Sequence, residues 1–250
     1  MKVVSCHIRF HMSGHAADRI NIDANTLHLA NIGVSAAVRC QHTHTFDRRN
    51  RLLTVEKHKS EVVLMRKNFG AKAMCYPMPV FIIGTYNTDG TPNAMNVAWG
   101  GISEETEITI CVDASHKTAE NLLTRKAFTV SMATAKYLTA CDYVGIVSGN
   151  KEPEKFSKAG FHATKSPFVD APLIDELPMA LECEVLSYDE ETCRLVGRIV
   201  NVCADESVLG ENGKVDVSKL QPITYDPMNH HYLVLGEQVG QAFHDGAALK

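Results

Sequence analysis

Residues 77–101 read PMPVFIIGTYNTDGTPNAMNVAWGG, and the way this stretch divides decides the fold. PVFIIGTY (79–86) is a β-branched and aromatic run, the composition of a strand. It ends in Asn87-Thr88-Asp89-Gly90, where Asp-Gly is a strong signal for a tight reversal. The returning segment, TPNAMNVAWGG (91–101), is rich in small residues that let backbone approach a neighbour closely.

Outward from this hairpin the same texture continues. TEITICVD (106–113) alternates apolar and polar positions, the period-2 pattern of a half-buried strand. Lys117–Arg125 reads as a helix with Ala119, Leu122 and Leu123 on one face, and FTVSMAT (128–134) as another strand. A short helix is expected around 137–144. It leads to SGNKEPEKFSKAGF (148–161), where Pro153 suits a helix first turn and Gly160 a helix end. MALECEVLSYD (179–189) and TCRLVGRIVNVCAD (192–205) are long strands joined by a short Glu-rich turn, an antiparallel hairpin. Tyr232–Leu235 reads as a last strand. Strands interrupted by short helices, without a regular βαβ rhythm, predict a mainly β, α+β fold built as an antiparallel barrel. No GxGxxG opens a helix in a βαβ unit, so a Rossmann dinucleotide site is not expected.

Composition narrows the function. With 45% hydrophobic residues, 22% charged residues and a net charge of −4, the 250-residue chain is an ordinary globular one without the basic excess of a nucleic-acid binder. The charge is uneven. Residues 1–64 hold nine Lys/Arg against five Asp/Glu, whereas the remainder holds 16 against 24. Residues 1–64 also carry seven histidines and no proline, with weak periodicity apart from a possible helix over 25–39. We expect them to form a poorly ordered extension outside the fold, ahead of a domain spanning 65–250. The acidic Asp18, Asp23 and Asp47 argue against a mitochondrial targeting peptide. Cys6, His7, Cys40, His42 and His44 match no compact zinc-finger spacing, so no metal is expected. The eight cysteines include no CxxC pair, and several lie in apolar runs, which reads as reduced thiols in a cytoplasmic protein. No apolar run approaches the roughly 20 residues of a membrane span.

The segment Ser115-His116-Lys117-Thr118 stands at the start of the predicted helix. A helix N-terminus offers free N–H groups and a partial positive charge, which suit a phosphate. Ser115 and Thr118 add hydroxyls and Lys117 adds a charge. The same residues also suit a plain N-cap with a solvated lysine, and spacing alone does not choose between the two.

From about Met65 to Lys250 the chain resembles the flavin reductase-like family, the FMN-binding split barrels that include the flavoredoxins. The resemblance is carried by 77–101 as quoted, then ASHKTAENL (114–122), VSGNKEPEKFSKAGF (147–161) and the closing YLVLGEQVGQAFHDG (232–246). Residues 1–64 have no counterpart in it. It implies a six-stranded antiparallel Greek-key split β-barrel and FMN as cofactor. The backbone of Asn93, Ala94, Met95, Asn96, Val97, Ala98 and Trp99 would then run along the flavin, with Asn96 and Trp99 flanking it. Ser115, His116, Lys117 and Thr118 would hold the phosphate, and Ser148, Gly149, Lys151 and Lys155 would approach from the next loop. Each has a plainer reading, Trp99 as a core aromatic and Lys151 and Lys155 as part of a solvated face. His230 and His231 are candidates for contact with flavin or nicotinamide, and Phe243 for a cover over the barrel end. Cys111 and Cys141 sit among apolar neighbours and read as structural.

With a flavin to carry the redox chemistry, no side-chain nucleophile is required, and no convincing triad occurs. The expected activity is an NAD(P)H:flavin reductase or a flavoredoxin-like carrier of electrons. The donor is NAD(P)H or a reduced electron-transfer protein, and the expected state is a homodimer. A non-catalytic FMN-binding module or flavin carrier is the alternative, and related split barrels can instead hold haem or pyridoxal phosphate.

Overall fold

The computed structural model describes residues 66–250 and, ahead of them, two strands, β1 (Ala36–Val38) and β2 (Val62–Leu64). The chain divides into two compact units, 1–72 and 73–250. In the first, β1 and β2 pair antiparallel, with Ala36 opposite Leu64. The end of the helix expected over 25–39 is therefore extended instead. The expectations of a poorly ordered extension and of no zinc site there otherwise fall outside the described residues.

The second unit runs β3 (Met78–Pro79), β4 (Phe81–Tyr86), β5 (Pro92–Val97), β6 (Gly100–Glu104), β7 (Glu107–Cys111), α1 (Lys117–Arg125), β8 (Ala127–Met132), α2 (Leu138–Ile146) and α3 (Lys155–Lys158). It continues with β9 (Ala163–Lys165), β10 (Pro172–Ile174), β11 (Met179–Asp189), β12 (Arg194–Ala204), α4 (Val217–Leu220), β13 (Ile223–Asp226) and β14 (His231–Val234). The main sheet is antiparallel, in the order β5-β4-β8-β11-β12-β7-β6. Its two end strands are one continuous segment bent at Ala98–Trp99, so the curled sheet returns to its own start. The Cys111 N–H donates to the Trp99 carbonyl at 2.9 Å along that seam. Counting the bent segment once, six strands make the ring. After β4, β5/β6 and β7, which are neighbours, the chain crosses through α1 to β8 on the far side of β4. It then returns along β11 and β12 to β7, a Greek-key path.

Period-2 alternation fills the interior. Phe81 and Ile83 of β4, Ile108 and Ile110 of β7, and Phe128 and Val130 of β8 join one buried cluster, closed at one end by Ala119 and Leu122 of α1. Full burial of each large apolar side chain contributes about 1.5–3 kcal/mol. Gly197 of β12 is the counterpart of this filling. A Cβ there would overlap the ring of Phe128, whose Cε1 would be 2.7 Å away. A second cluster lies outside the barrel wall, where Cys141 and Val144 of α2, with Phe156 and Phe161, pack on Val80, Ile82 and Ala94. The small sheet β14-β13-β3 is pinned to this region by Thr224 Oγ1, which donates to the Met78 carbonyl at 2.7 Å.

Candidate functional site

Among the described residues, β5 has β4 on one side and no strand on the other. Its side chains alternate. Met95 and Val97 enter the barrel core, whereas Ala94 joins the outer cluster and Asn96 donates from Nδ2 to the Cys141 carbonyl at 3.1 Å. Asn93 is 3% exposed, and its Nδ2 donates to Thr118 Oγ1 at 3.0 Å and to Thr85 Oγ1 at 3.3 Å. Asn121 Nδ2 reaches the same Thr85 hydroxyl at 3.0 Å and Asn87 Oδ1 at 2.8 Å. This network fixes the start of α1 against the lip of the barrel. Thr85 and Asn121 were missed in the sequence reading, since polar residues in an apolar strand and helix announce no role.

The start of α1 is built to leave donors free. Asp113 Oδ1 accepts from the Ser115 N–H at 2.9 Å and from Ser115 Oγ at 2.6 Å, folding the loop ahead of the helix. His116 stands at the N-cap in an extended conformation, with no side chain capping the helix. The N–H groups of Lys117 and Thr118 have no hydrogen-bond partner among the described residues. A helix N-terminus in that state is an anion site. The Lys117 ammonium rests on Glu120 at 2.9 Å, an exposed pair of little strength. Thr118 is buried, and its hydroxyl oxygen is the one bonded by Asn93.

The turn after α2 closes on this point. A Cβ on Gly149 would stand 2.9 Å from Asn93 Oδ1 and 3.2 Å from Lys117 Cβ, so glycine is what lets the turn approach. Asn150 Nδ2 donates to the Ser115 carbonyl at 3.0 Å and joins the two loops. Asn93, Ser115, Lys117, Thr118 and Gly149 are thus brought together, with the exposed His116, Ser148 and Lys151 around them.

Lys155 has a different task from the expected cofactor contact. It is 3% exposed, and Nζ donates to the carbonyls of Val144 at 3.1 Å and Val147 at 3.0 Å, at the C-terminal end of α2. It supports the turn from behind. Burial pushes its pKa down from 10.5 to about 8. Between those values the unfolded chain binds more protons than the folded one, so this group makes stability rise as pH climbs from about 8 to about 10.5. Lys155→Met should flatten that rise. Urea midpoints at the two ends of the window check it, and an unchanged slope would remove the assignment.

At the other end of β5, Asn96 and Ala98 open onto a cavity of about 290 Å³ shared with Asp142, Ile146, Tyr225 and Tyr232. The Tyr232 hydroxyl donates to Asp142 Oδ1 at 2.7 Å, and burial with that bond raises its pKa. Gly145 lets α2 approach here, since a Cβ would stand 2.8 Å from that of Asn96. Trp99, read alone as a core aromatic, is 58% exposed on the bend into β6. His230 Nδ1 lies 2.6 Å from Tyr225 Oη, one side chain away from the cavity, and His231 is exposed at the start of β14. Phe243 covers no barrel end and is fully exposed. Cys141 is buried, with its thiol pushed up to about 12 by desolvation, whereas Cys111 is half-buried.

The profile described as "Flavin reductase like domain" matches residues 73–233. The chain belongs to the flavin reductase-like family. Among solved structures, this flavin reductase-like chain is similar to a flavoredoxin of Desulfovibrio vulgaris (Miyazaki F), at 36% identity and a TM-score of 0.70, covering 73% of this chain and 100% of that one. A flavoredoxin from Methanosarcina acetivorans is 27% identical with a TM-score of 0.65, covering 74% of this chain and 98% of that one. The FMN-binding domain of a flavin reductases-like enzyme from Shewanella baltica shares the fold at 17% identity and a TM-score of 0.59, over 65% of this chain and 88% of that one. The family is one of flavin-linked redox proteins, and its match takes in β5, the loop ahead of α1 and the turn after α2. Among the described residues, no helix of this family member is long and apolar enough to cross a membrane.

Proposed function

We propose that the protein is an FMN-dependent oxidoreductase of the flavin reductase or flavoredoxin type. The observation that carries this reading is the pair of N–H groups on Lys117 and Thr118 that have no partner among the described residues, beside the Lys117 side chain and the Gly149 cradle, at one end of the β5 edge. The site suits one terminal phosphate. From Asn93 to Ala98 the strand extends roughly 16 Å, room for a ribityl chain to lead to a ring beside Asn96, Ala98 and Trp99. Backbone groups of Asn93–Trp99 meet the polar edge of the flavin. Ser115, His116, Lys117 and Thr118 take the phosphate, and Ser148, Gly149 and Lys151 close over it. The exposed bend at Trp99 leaves the ring open to a donor from outside, either NAD(P)H or a reduced electron-transfer protein. FMN, when bound, accepts a hydride and passes electrons on singly or in pairs. The chain binds and orients it, and Asp142 and Tyr232 set the polarity of the cavity wall. We place the protein in the cytoplasm as a homodimer.

The test is spectroscopic. The purified protein, reconstituted with FMN, should show an oxidised-flavin spectrum, and its absence would reject the reading. Anaerobic mixing with NADH or NADPH should bleach that spectrum rapidly if the protein is a reductase. Bleaching by reduced ferredoxin alone marks an electron carrier. Bleaching by neither leaves a non-catalytic flavin-binding module and overturns the enzyme.

A further inference from the structure

We propose that Lys155 is a positioning residue for the FMN phosphate, its buried ammonium offsetting the negative end of α2, and that it couples FMN affinity to a proton. The proposal rests on the FMN reading above and deepens it. Two helix ends of opposite polarity meet at the candidate site. The start of α1 presents N–H groups and attracts an anion. α2 (Leu138–Ile146) presents its other end, since its last residues lead straight into Ser148 and Gly149, the turn that closes on the same point. A helix C-terminus carries about half a negative charge on its last carbonyls. Left bare, that end would repel the phosphate that α1 attracts.

Lys155 counters that repulsion. Of the two carbonyls that its Nζ bonds, Val144 lies in the last turn of α2 and Val147 is the C-cap. The same contacts close the turn on itself. The Lys155 N–H donates to the Glu152 carbonyl at 3.2 Å, and the N–H groups of Lys151 and Glu152 both donate to the Ser148 carbonyl at 3.0 Å. The ammonium is out of water, where its field is least screened. A buried cation is costly unless negative groups face it, and here those groups are two helix-end carbonyls.

The charged and titratable groups on the elements around Lys155 are engaged elsewhere, buried or exposed. On α2, Asp142 accepts from the Tyr232 hydroxyl, Cys141 is a buried thiol and Tyr143 is half-buried. On the turn, Glu152 pairs with Lys158 of α3 at 2.5 Å, and Lys151 and Glu154 are exposed. Beyond α3, His162 is bonded to Glu176. β5 brings Asn93 and Asn96, which do not titrate. Burial favours the neutral amine, so that Lys155 titrates near about 8. A bound phosphate favours the ammonium, and it is already a dianion there, its second pKa being about 6. FMN should therefore bind more weakly as pH rises through about 8, and should take up protons as it binds.

Affinities of the full-length protein for FMN and for riboflavin, measured side by side from about pH 7 to about pH 9, test it. Their ratio isolates the phosphate, because the ring is common to both. In the wild type the preference for FMN should fall severalfold across that window. Lys155→Arg keeps a charge that does not titrate, so the preference should persist and its pH dependence vanish. Lys155→Met should lower the preference roughly tenfold at the acid end and also flatten it. The wild-type and arginine profiles decide the matter even if the methionine protein fails to fold. A wild-type ratio indifferent to pH, a pH dependence that survives Lys155→Arg, or an unchanged ratio in folded Lys155→Met would each overturn the proposal. A wild type that binds neither flavin would overturn the FMN reading and this proposal with it, a failure distinct from those three.

Discussion

Gly197→Val is expected to lose about 2–4 kcal/mol of folding stability, read from the urea midpoint. The position lies on β12 between Ile108 of β7 and Val185 of β11. A Cβ there meets the edge of the fully buried Phe128 ring, and the Glu184 carbonyl limits escape at 3.4 Å. Two effects compete. Valine favours strand over glycine by up to about 1 kcal/mol, whereas overpacking a closed core costs about 1–3 kcal/mol, and more where nothing can shift. The clash prevails because the ring lies in the middle of a six-strand closure, with other strands behind it. Against a typical total of about 5–15 kcal/mol, that loss is severe. Phe128→Leu in the same chain should recover part of it, since the two positions share one volume. A Gly197→Val protein within about 0.5 kcal/mol of the wild type would mean that the barrel is looser than its contacts imply.

Lys117→Glu is expected to weaken FMN binding by at least about 3 kcal/mol, more than 100-fold. Lys117→Ala removes one charge-assisted hydrogen bond, an effect of about 1–3 kcal/mol. The glutamate further sets a negative charge against the phosphate and against Glu120, the residue that Lys117 now neutralises. The folded state should hardly notice, because that ion pair is exposed and an exposed pair contributes about 0–1 kcal/mol. Riboflavin supplies the control, since it has the ring and ribityl chain but no phosphate. Its affinity should stay as it was, and the FMN deficit should shrink as salt rises. Unchanged FMN affinity would remove the phosphate assignment. An equal loss for riboflavin would show a general disturbance instead.

Much of the barrel was legible because its strands obey simple patterns. β11 matches its reading residue for residue, and β4, β7, β8 and α1 match closely, β4 through its β-branched and aromatic run and the others through their periodicity. β6, with sequence GGISE, was not read as a strand. Two glycines and no alternation hide it, and its strand character comes from pairing with β7. β13 has four residues between Pro222 and Pro227, and β9 and β10 have three each, too short to show a period. The candidate site divides in the same way. The Ser-His-Lys-Thr run is a local signal, and the helix start within it was legible. Asn93 was expected through its backbone, and its side-chain contact with Thr118 depends on which strand face meets α1, which only closure decides. Lys155 was misread because a lysine in a charged stretch does not show that it reaches carbonyls eight and eleven residues earlier. For Trp99 only the plainer reading as a core aromatic fails, because the bend carries the side chain outside.

The bend at Ala98–Trp99 has a thermodynamic corollary. One length of chain is both the rail along which a ligand would lie and the clasp that joins the last strand to the first. A molecule held on Asn93–Trp99 therefore restrains the clasp, and closing the ring pre-forms the rail. Occupancy and integrity of the ring are linked quantities, each raising the other by mass action. The amide of Cys111, which bonds across the clasp to the Trp99 carbonyl, is the natural reporter. Its hydrogen exchange should slow as FMN is added, and the melting temperature should rise with the concentration of the same ligand.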